Sequence, residues 1–291
     1  MLKYDEFKSR VIEGIKNYVP EKYRSYSVEL MRVNKINESL DAFCLVDKSR
    51  DVGSSPVVYF EDMYSYYRSC MNMDSTLKWA GGIITEGLDM VGKGSVSLND
   101  IRDNTVLVLI NAEKNRELLK TVPHVRFLDL AFIFRWIVSI NEHSFTGAII
   151  NSSLNNFDLT TEELFELAKK NTRRLLPPAV RTLNSALTSA GAPEDMFNGC
   201  ELPVLVLSNR YGVEGAAAIV FEDVLGEIRK FFGDDFYIMP TSVNEVMLVP
   251  ASLGRAEVFR DMVQEINRKI VAERDRLSDS LYLYDGEIRM I

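Results

Sequence analysis

The chain has 291 residues, 46% of them apolar and 26% charged, an ordinary globular composition that allows a sizeable core and argues against disorder. A formal charge of −8 and a pI near 5.1 repel phosphate backbones on average, which argues against nucleic acid as a partner. Three cysteines, Cys44, Cys70 and Cys200, are far apart and form no CxxC pair, so neither a disulfide framework nor a zinc cluster is expected. The opening MLKYDEFKSR is charged from its third residue and does not read as a signal peptide. The longest apolar stretch, residues 127–140, is interrupted by Asp129 and Arg135 and is too short to span a bilayer. A cytoplasmic protein without a membrane partner is the expectation.

In chain order, Phe7, Val11, Ile15 and Tyr18 mark one face of a first helix, stopped by Pro20. Residues 26–33 and 40–47 alternate as strands do, and a turn through Gly53 leads to an apolar run at 56–60. A helix follows from about Glu61. Another passes through Leu77 and Trp79, with Gly81 and Gly82 weakening it. Residues 105–111 (TVLVLIN) read as a strand covered on both faces, and 115–120 as a short helix. Residues 127–140 (FLDLAFIFRWIVSI) read as a core helix, and 145–150 as a strand. Thr160 and Glu163 have capping-box spacing ahead of a leucine stripe. Pro177 and Pro178 end that helix, and a second is expected over 179–190. Strands at 203–207 and 216–221 precede a helix at 222–232, capped by Gly233. Strands at 236–239 and 245–249, a long helix over 257–276 and a terminal hairpin turning at Asp285-Gly286 complete the chain.

Residues 57–68 (VVYFEDMYSYYR) and 218–229 (AIVFEDVLGEIR) repeat an apolar run, Phe-Glu-Asp and a helix-like stretch at a constant offset of 161, since 221 − 60 = 229 − 68. Apolar runs at 42–46 and 203–207 precede them at the same offset. The fold class expected is α+β: antiparallel hairpins with interspersed helices, arranged as two related strand–strand–helix lobes. A boundary near 151–156 divides lobes 1–152 and 153–291, with one compact unit as the alternative.

Reactive constellations are scarce. The two histidines, His124 and His143, neighbour neither a Gly-x-Ser-x-Gly elbow nor a nucleophilic cysteine. Gly92-Lys93-Gly94-Ser95 lacks Walker spacing, and there is no GxGxxG, HExxH or EF-hand loop, so no cofactor and no metal are expected. Asp234-Asp235 reads as a solvated turn. Glu61/Asp62 and Glu222/Asp223 lie at helix starts, where carboxylates favour the dipole; adjacent residues diverge by about 100° and do not converge on one ion. Tyr59, Phe60, Tyr64, Tyr66 and Tyr67 offer recognition surface, but their spacing places most of them in the core. Lys169, Lys170, Arg173 and Arg174 form a basic patch on one helix face, for which a solvated face is the competing reading. The best ligand-binding candidates are Asn209 and Arg210 in one interstrand loop and Ser242, Asn244 and Glu245 in another, because loops on rigid hairpins commonly carry binding groups.

LINAEKNRELLKTVPHVRFLDLAFIF (109–134), NSSLNNFDLTTEELFELAKKNT (151–172), VLSNRYGVEGAAAIVFEDVL (206–225) and FYIMPTSVNEVMLVP (236–250) together give the chain its likeness. It resembles a family of uncharacterised proteins of gut clostridia and their mobile elements. The resemblance implies histidine in many relatives at the position of Asn244. A catalytic histidine there is then not essential, since an amide cannot shuttle protons near neutral pH. The sequence thus points to a non-enzymatic module that recognises a partner protein. The alternative is an enzyme or small-ligand sensor with a polar site between the lobes, Arg210 binding an anion and Glu245 acting as acid or base. Nucleic-acid binding through residues 169–174 is a third reading.

Overall fold

The computed structural model describes residues 1–48, 55–92, 98–140, 143–189, 191, 193 and 203–291. Two compact units result, Met1–Ser97 and Leu98–Ile291. Both are α+β with antiparallel sheets. No helix among the described residues is long and apolar enough to cross a membrane.

The first unit contains α1 (Tyr4–Gly14), α2 (Glu21–Arg24), β1 (Ser27–Lys35), β2 (Glu38–Val46), β3 (Val57–Tyr59), α3 (Phe60–Cys70) and α4 (Met73–Gly92). The strands pair in the order β1-β2-β3. Phe7, Val11 and Ile15 are fully buried, as the helical spacing requires, and join Phe43, Phe60 and Met63 in one core. The tyrosine-rich segment divides by helical phase. Phe60 and Tyr67 are buried, whereas Tyr66 is partly exposed and stacks on Trp79 at 5.0 Å. The glycine pair does not break α4. Gly81 is needed for close approach, because a Cβ there would lie 2.3 Å from the Tyr18 carbonyl oxygen. Cys44 is buried, and burial raises its thiol pKa; Cys70 is exposed. Gly53, Lys93, Gly94, Ser95 and Cys200 lie outside the described residues.

The second unit opens with α5 (Leu98–Asp103), β4 (Thr105–Asn111), α6 (Arg116–Leu119), β5 (His124–Phe127), β6 (Leu130–Ile140), β7 (His143–Ala148) and α7 (Asn151–Leu154). Next come α8 (Thr161–Leu175), β8 (Pro178–Thr182), α9 (Leu183–Ser189), β9 (Leu205–Asn209), a 3-10 helix (Gly215–Val220) and α10 (Glu222–Phe232). β10 (Phe236–Met239), β11 (Val246–Pro250), α11 (Ala256–Lys269), β12 (Tyr282–Tyr284) and β13 (Ile288–Met290) finish it. One sheet has the order β4-β6-β5, with β7 also on β6; the other runs β13-β12-β10-β11-β9-β8.

Four expectations are corrected here. Residues 127–140 form a hairpin, not a helix. Leu128, at φ 55°, and Asp129 make the turn between β5 and β6. β6 is buried on both faces from Leu130 to Phe134, so it lacks the alternation that distinguishes a strand from a buried helix. Residues 179–182 are strand, because Pro178 starts an edge strand that pairs with β9, and the helix begins only at Leu183. The long helix ends at Lys269, where the chain turns back to pair Arg276 with Ser242.

The fourth concerns the repeat. Its second copy is strand, 3-10 helix, α-helix, and the two units have different strand orders. Glu214, in the left-handed region at φ 54°, turns the chain out of extension, and the alanines after Gly215 coil tightly against β9. The division expected near 151–156 lies inside the second unit. There, residues on either side of it are bonded together: the Leu107 amide donates to Thr172 Oγ1 at 2.8 Å, and Asn111 Nδ2 to the Leu277 carbonyl at 2.9 Å.

Candidate functional site

The two loops singled out from the sequence meet, and their polar groups brace each other. Asn209 is buried. Its amide nitrogen donates to the Val213 carbonyl at 2.6 Å and its amide oxygen accepts from the Tyr211 N–H at 2.9 Å. Asn244 Oδ1 accepts from the Glu214 N–H at 3.0 Å, and its carbonyl accepts from Ser208 Oγ at 2.6 Å. Ser242 Oγ accepts from the Asn244 N–H at 3.1 Å. The Asn209–Tyr211 and Ser242–Asn244 bonds are Asx- and Ser-type turn bonds, whereas those of Asn244 with Glu214 and Ser208 cross between the two loops. Gly215 is held so closely that a Cβ would lie 2.1 Å from Ser208 Oγ. Arg210 is exposed and its N–H donates to the Pro177 carbonyl; Glu245 is half-buried just before β11.

Behind these loops stands an ion pair that sequence reasoning missed, between Arg135 of β6 and Glu214. The Glu214 side chain is 11% exposed. Burial pushes its carboxyl above the ordinary range, and the Arg135 guanidinium opposes that shift. Asp129, at the β5–β6 turn, is a second polar junction. It accepts from Ser278 Oγ at 2.5 Å, Ser280 Oγ at 3.2 Å and Tyr282 Oη at 2.5 Å. Burial, followed by the bond to Asp129, raises the Tyr282 pKa. The hydroxyls converge on one carboxylate as donors, which fixes the β5–β6 hairpin against β12.

The basic patch on α8 divides. Arg173 makes a bidentate pair with Asp223, depressing that carboxyl, and lies over the Phe221 ring at 4.4 Å. Arg174 donates to the Asp103 carbonyl at 2.5 Å. Lys170 is exposed. Lys169 lines a further feature of this unit.

That feature is a cleft of about 430 Å³, within the size range of ligand sites. Its floor is apolar, from Phe127, Phe132 and Phe165 through Ile219 and Leu225 to Tyr284. Its walls come from β5, β6, α8, the 3-10 helix 215–220, α10 and the β12–β13 turn. Four charged residues line it: Arg126 and Lys169 from β5 and α8, and Glu222 and Glu287 from α10 and the terminal turn. Among the described residues no ion pair engages these four side chains. Adjacent Glu222 and Asp223 diverge as helical phase requires, one into the cleft and the other onto Arg173. The cleft was illegible as a site in sequence because its apolar residues share the composition of core strands and helices; Lys169, Glu222 and the Asp285-Gly286 turn stood out singly, with nothing to join them.

Other candidates are structural in their contacts. His124 Nδ1 is 3.1 Å from the Val122 carbonyl, and His143 begins β7. Glu61 accepts from Tyr4 Oη at 2.6 Å, while Asp235 pairs with Arg229 and Asp234 accepts from the Ser252 N–H. Among the described residues no three His, Cys, Asp or Glu side chains are grouped to hold a metal ion.

Comparison with curated proteins and with solved structures found no match. A family model does match, over residues 4–286 and so nearly the whole chain, and the protein belongs to that family, a family of unknown function (DUF5688).

Proposed function

We propose that this protein is a non-enzymatic binding module that recognises a partner protein, and that the cleft of the second unit receives an apolar group of that partner. The observation that carries the reading is the pairing of an aromatic floor with four charged residues that join no ion pair among the described residues. Apolar burial supplies affinity, and charges at the margin select the partner and its orientation. The hydrogen bonds of Asn209, Ser242 and Asn244 support the same division of labour, since they hold loop backbone in place.

The test uses methyl NMR on Ile219, Leu225 and Ile288 with analogues of aromatic side chains, indole and p-cresol. The expected result is a saturable shift of these methyls in the native protein and in Ser242→Ala and Glu245→Ala. Phe165→Asp, which puts a carboxylate into the floor, abolishes it. No methyl shift with either analogue contradicts the reading. Turnover of any substrate that Ser242→Ala or Glu245→Ala abolishes would replace it with an enzymatic one.

A further inference from the structure

The cleft covers one face of the β5–β6 ladder, where Val125 pairs with Phe132, and extends to the edge of β5. Successive side chains of a strand point to opposite faces, so one face contributes alternate residues to a pocket. Here Val125, Arg126 and Phe127 are consecutive and all line the cleft. The cleft therefore abuts the edge of β5, where backbone groups are presented. Opposite it, Gly286, Glu287 and Ile288 are again consecutive, and they lead into β13. β5 pairs only with β6, and β13, the end strand of its sheet, only with β12 among the described residues. The edge of β5 and the β12–β13 turn thus border one apolar cavity.

An exposed edge is a template for another strand, and proteins blunt such edges with charge. Arg126 serves that purpose on β5, and together with Glu287 of the β12–β13 turn it states what a partner must carry. The cations sit on the β5–α8 side, the carboxylates on the α10 and β12–β13 side.

Building on the cleft reading above, we propose that the occupant is an extended peptide segment of a partner protein. It adds as a strand to the edge of β5, seats one aromatic or large aliphatic side chain on the floor, and carries a carboxylate toward Arg126 and Lys169 and a cation toward Glu222 and Glu287. Strand addition takes affinity from backbone hydrogen bonds and specificity from pockets for alternate side chains, and the cleft supplies both.

The probes are two capped pentapeptides, Lys-Val-Phe-Val-Glu and Glu-Val-Phe-Val-Lys, covering both strand directions. Each is also made with N-methyl groups on one or the other alternate set of amides. Binding is followed by the same methyl shifts and by hydrogen exchange of the β5 amides in the full chain. The expected result is that one peptide binds and slows exchange in β5. Methylating one alternate set weakens that peptide by about tenfold or more, the loss of a hydrogen bond, while methylating the other set does not. Lys169→Glu weakens it to a similar degree. Binding that ignores methylation in both sets, or leaves exchange in β5 unchanged, overturns strand addition. If neither peptide binds but indole still shifts the cleft methyls, this inference fails and the cleft reading stands. If indole also fails, both fall.

Discussion

Glu214 shows most sharply how single residues are used in this chain. It combines left-handed backbone with a buried carboxylate, an arrangement maintained by Arg135 and by the bond from its own N–H to Asn244. The sign of its effect on stability follows from its raised pKa. Folding disfavours the charged form relative to the unfolded chain, so its contribution is fully present below the ordinary value of 4.5 and is lost as pH rises through the raised one. Glu214→Gln removes that titration. Its stability relative to the native protein is expected to improve from about pH 4 to about pH 7, by on the order of 1 kcal/mol per unit of raised pKa, in denaturant titrations at the two pH values. An unchanged difference would mean that Arg135 compensates fully. Sequence reading found Asn209, Ser242 and Asn244 as polar loop residues, yet the carboxylate they surround was hidden. Glu214 sits in a segment, NRYGVEG, whose composition gives no sign that a partly exposed arginine of β6 lies opposite.

Among the elements, legibility depended on how many faces are buried. Helices with one apolar face, such as α1, α8 and α10, were readable from spacing and caps; the Thr160–Glu163 capping box is present with both bonds. β6, covered on both faces, was mistaken for a helix, because a continuous apolar run carries no period. The 3-10 helix at 215–220 was mistaken for a strand because its extent is set by Gly215 fitting against Ser208 and Asn209, a tertiary constraint. The glycine pair of α4 offers a test of this distinction between local propensity and packing. Gly81→Ala sets a methyl against the Tyr18 carbonyl and is expected to destabilise by about 1–3 kcal/mol. Gly82→Ala meets nothing within 4 Å and is expected to stabilise by about 0.5–1 kcal/mol. Thermal unfolding of the two variants checks this; the same sign for both would refute it.

For the whole molecule, the α+β class and the antiparallel hairpins were legible, while the apparent repeat misled. Its two copies share Phe-Glu-Asp at a helix start, a local signal that any such junction favours, yet the surrounding strands are ordered differently. The division of the chain was obscured for a related reason. β4 and β6 precede residue 152, but their hydrogen-bond partners Thr172 and Leu277 and the ion-pair partner Glu214 follow it, so sequence neighbourhood and spatial neighbourhood disagree. The cleft arises from that long-range assembly, which joins residues 125–132 with 165–169, 219–225 and 284–288.

The most direct measurement is site-specific photo-crosslinking in the cell that carries the gene, with a benzophenone side chain at Arg126 or, for comparison, at the exposed Val258 of α11. A discrete adduct to one protein is expected from position 126, to an extended segment bearing an apolar residue, absent from position 258 and lost with Phe165→Asp. Equal adducts from both positions, or an adduct from 126 that survives Phe165→Asp, would contradict the assignment of the cleft as the working surface.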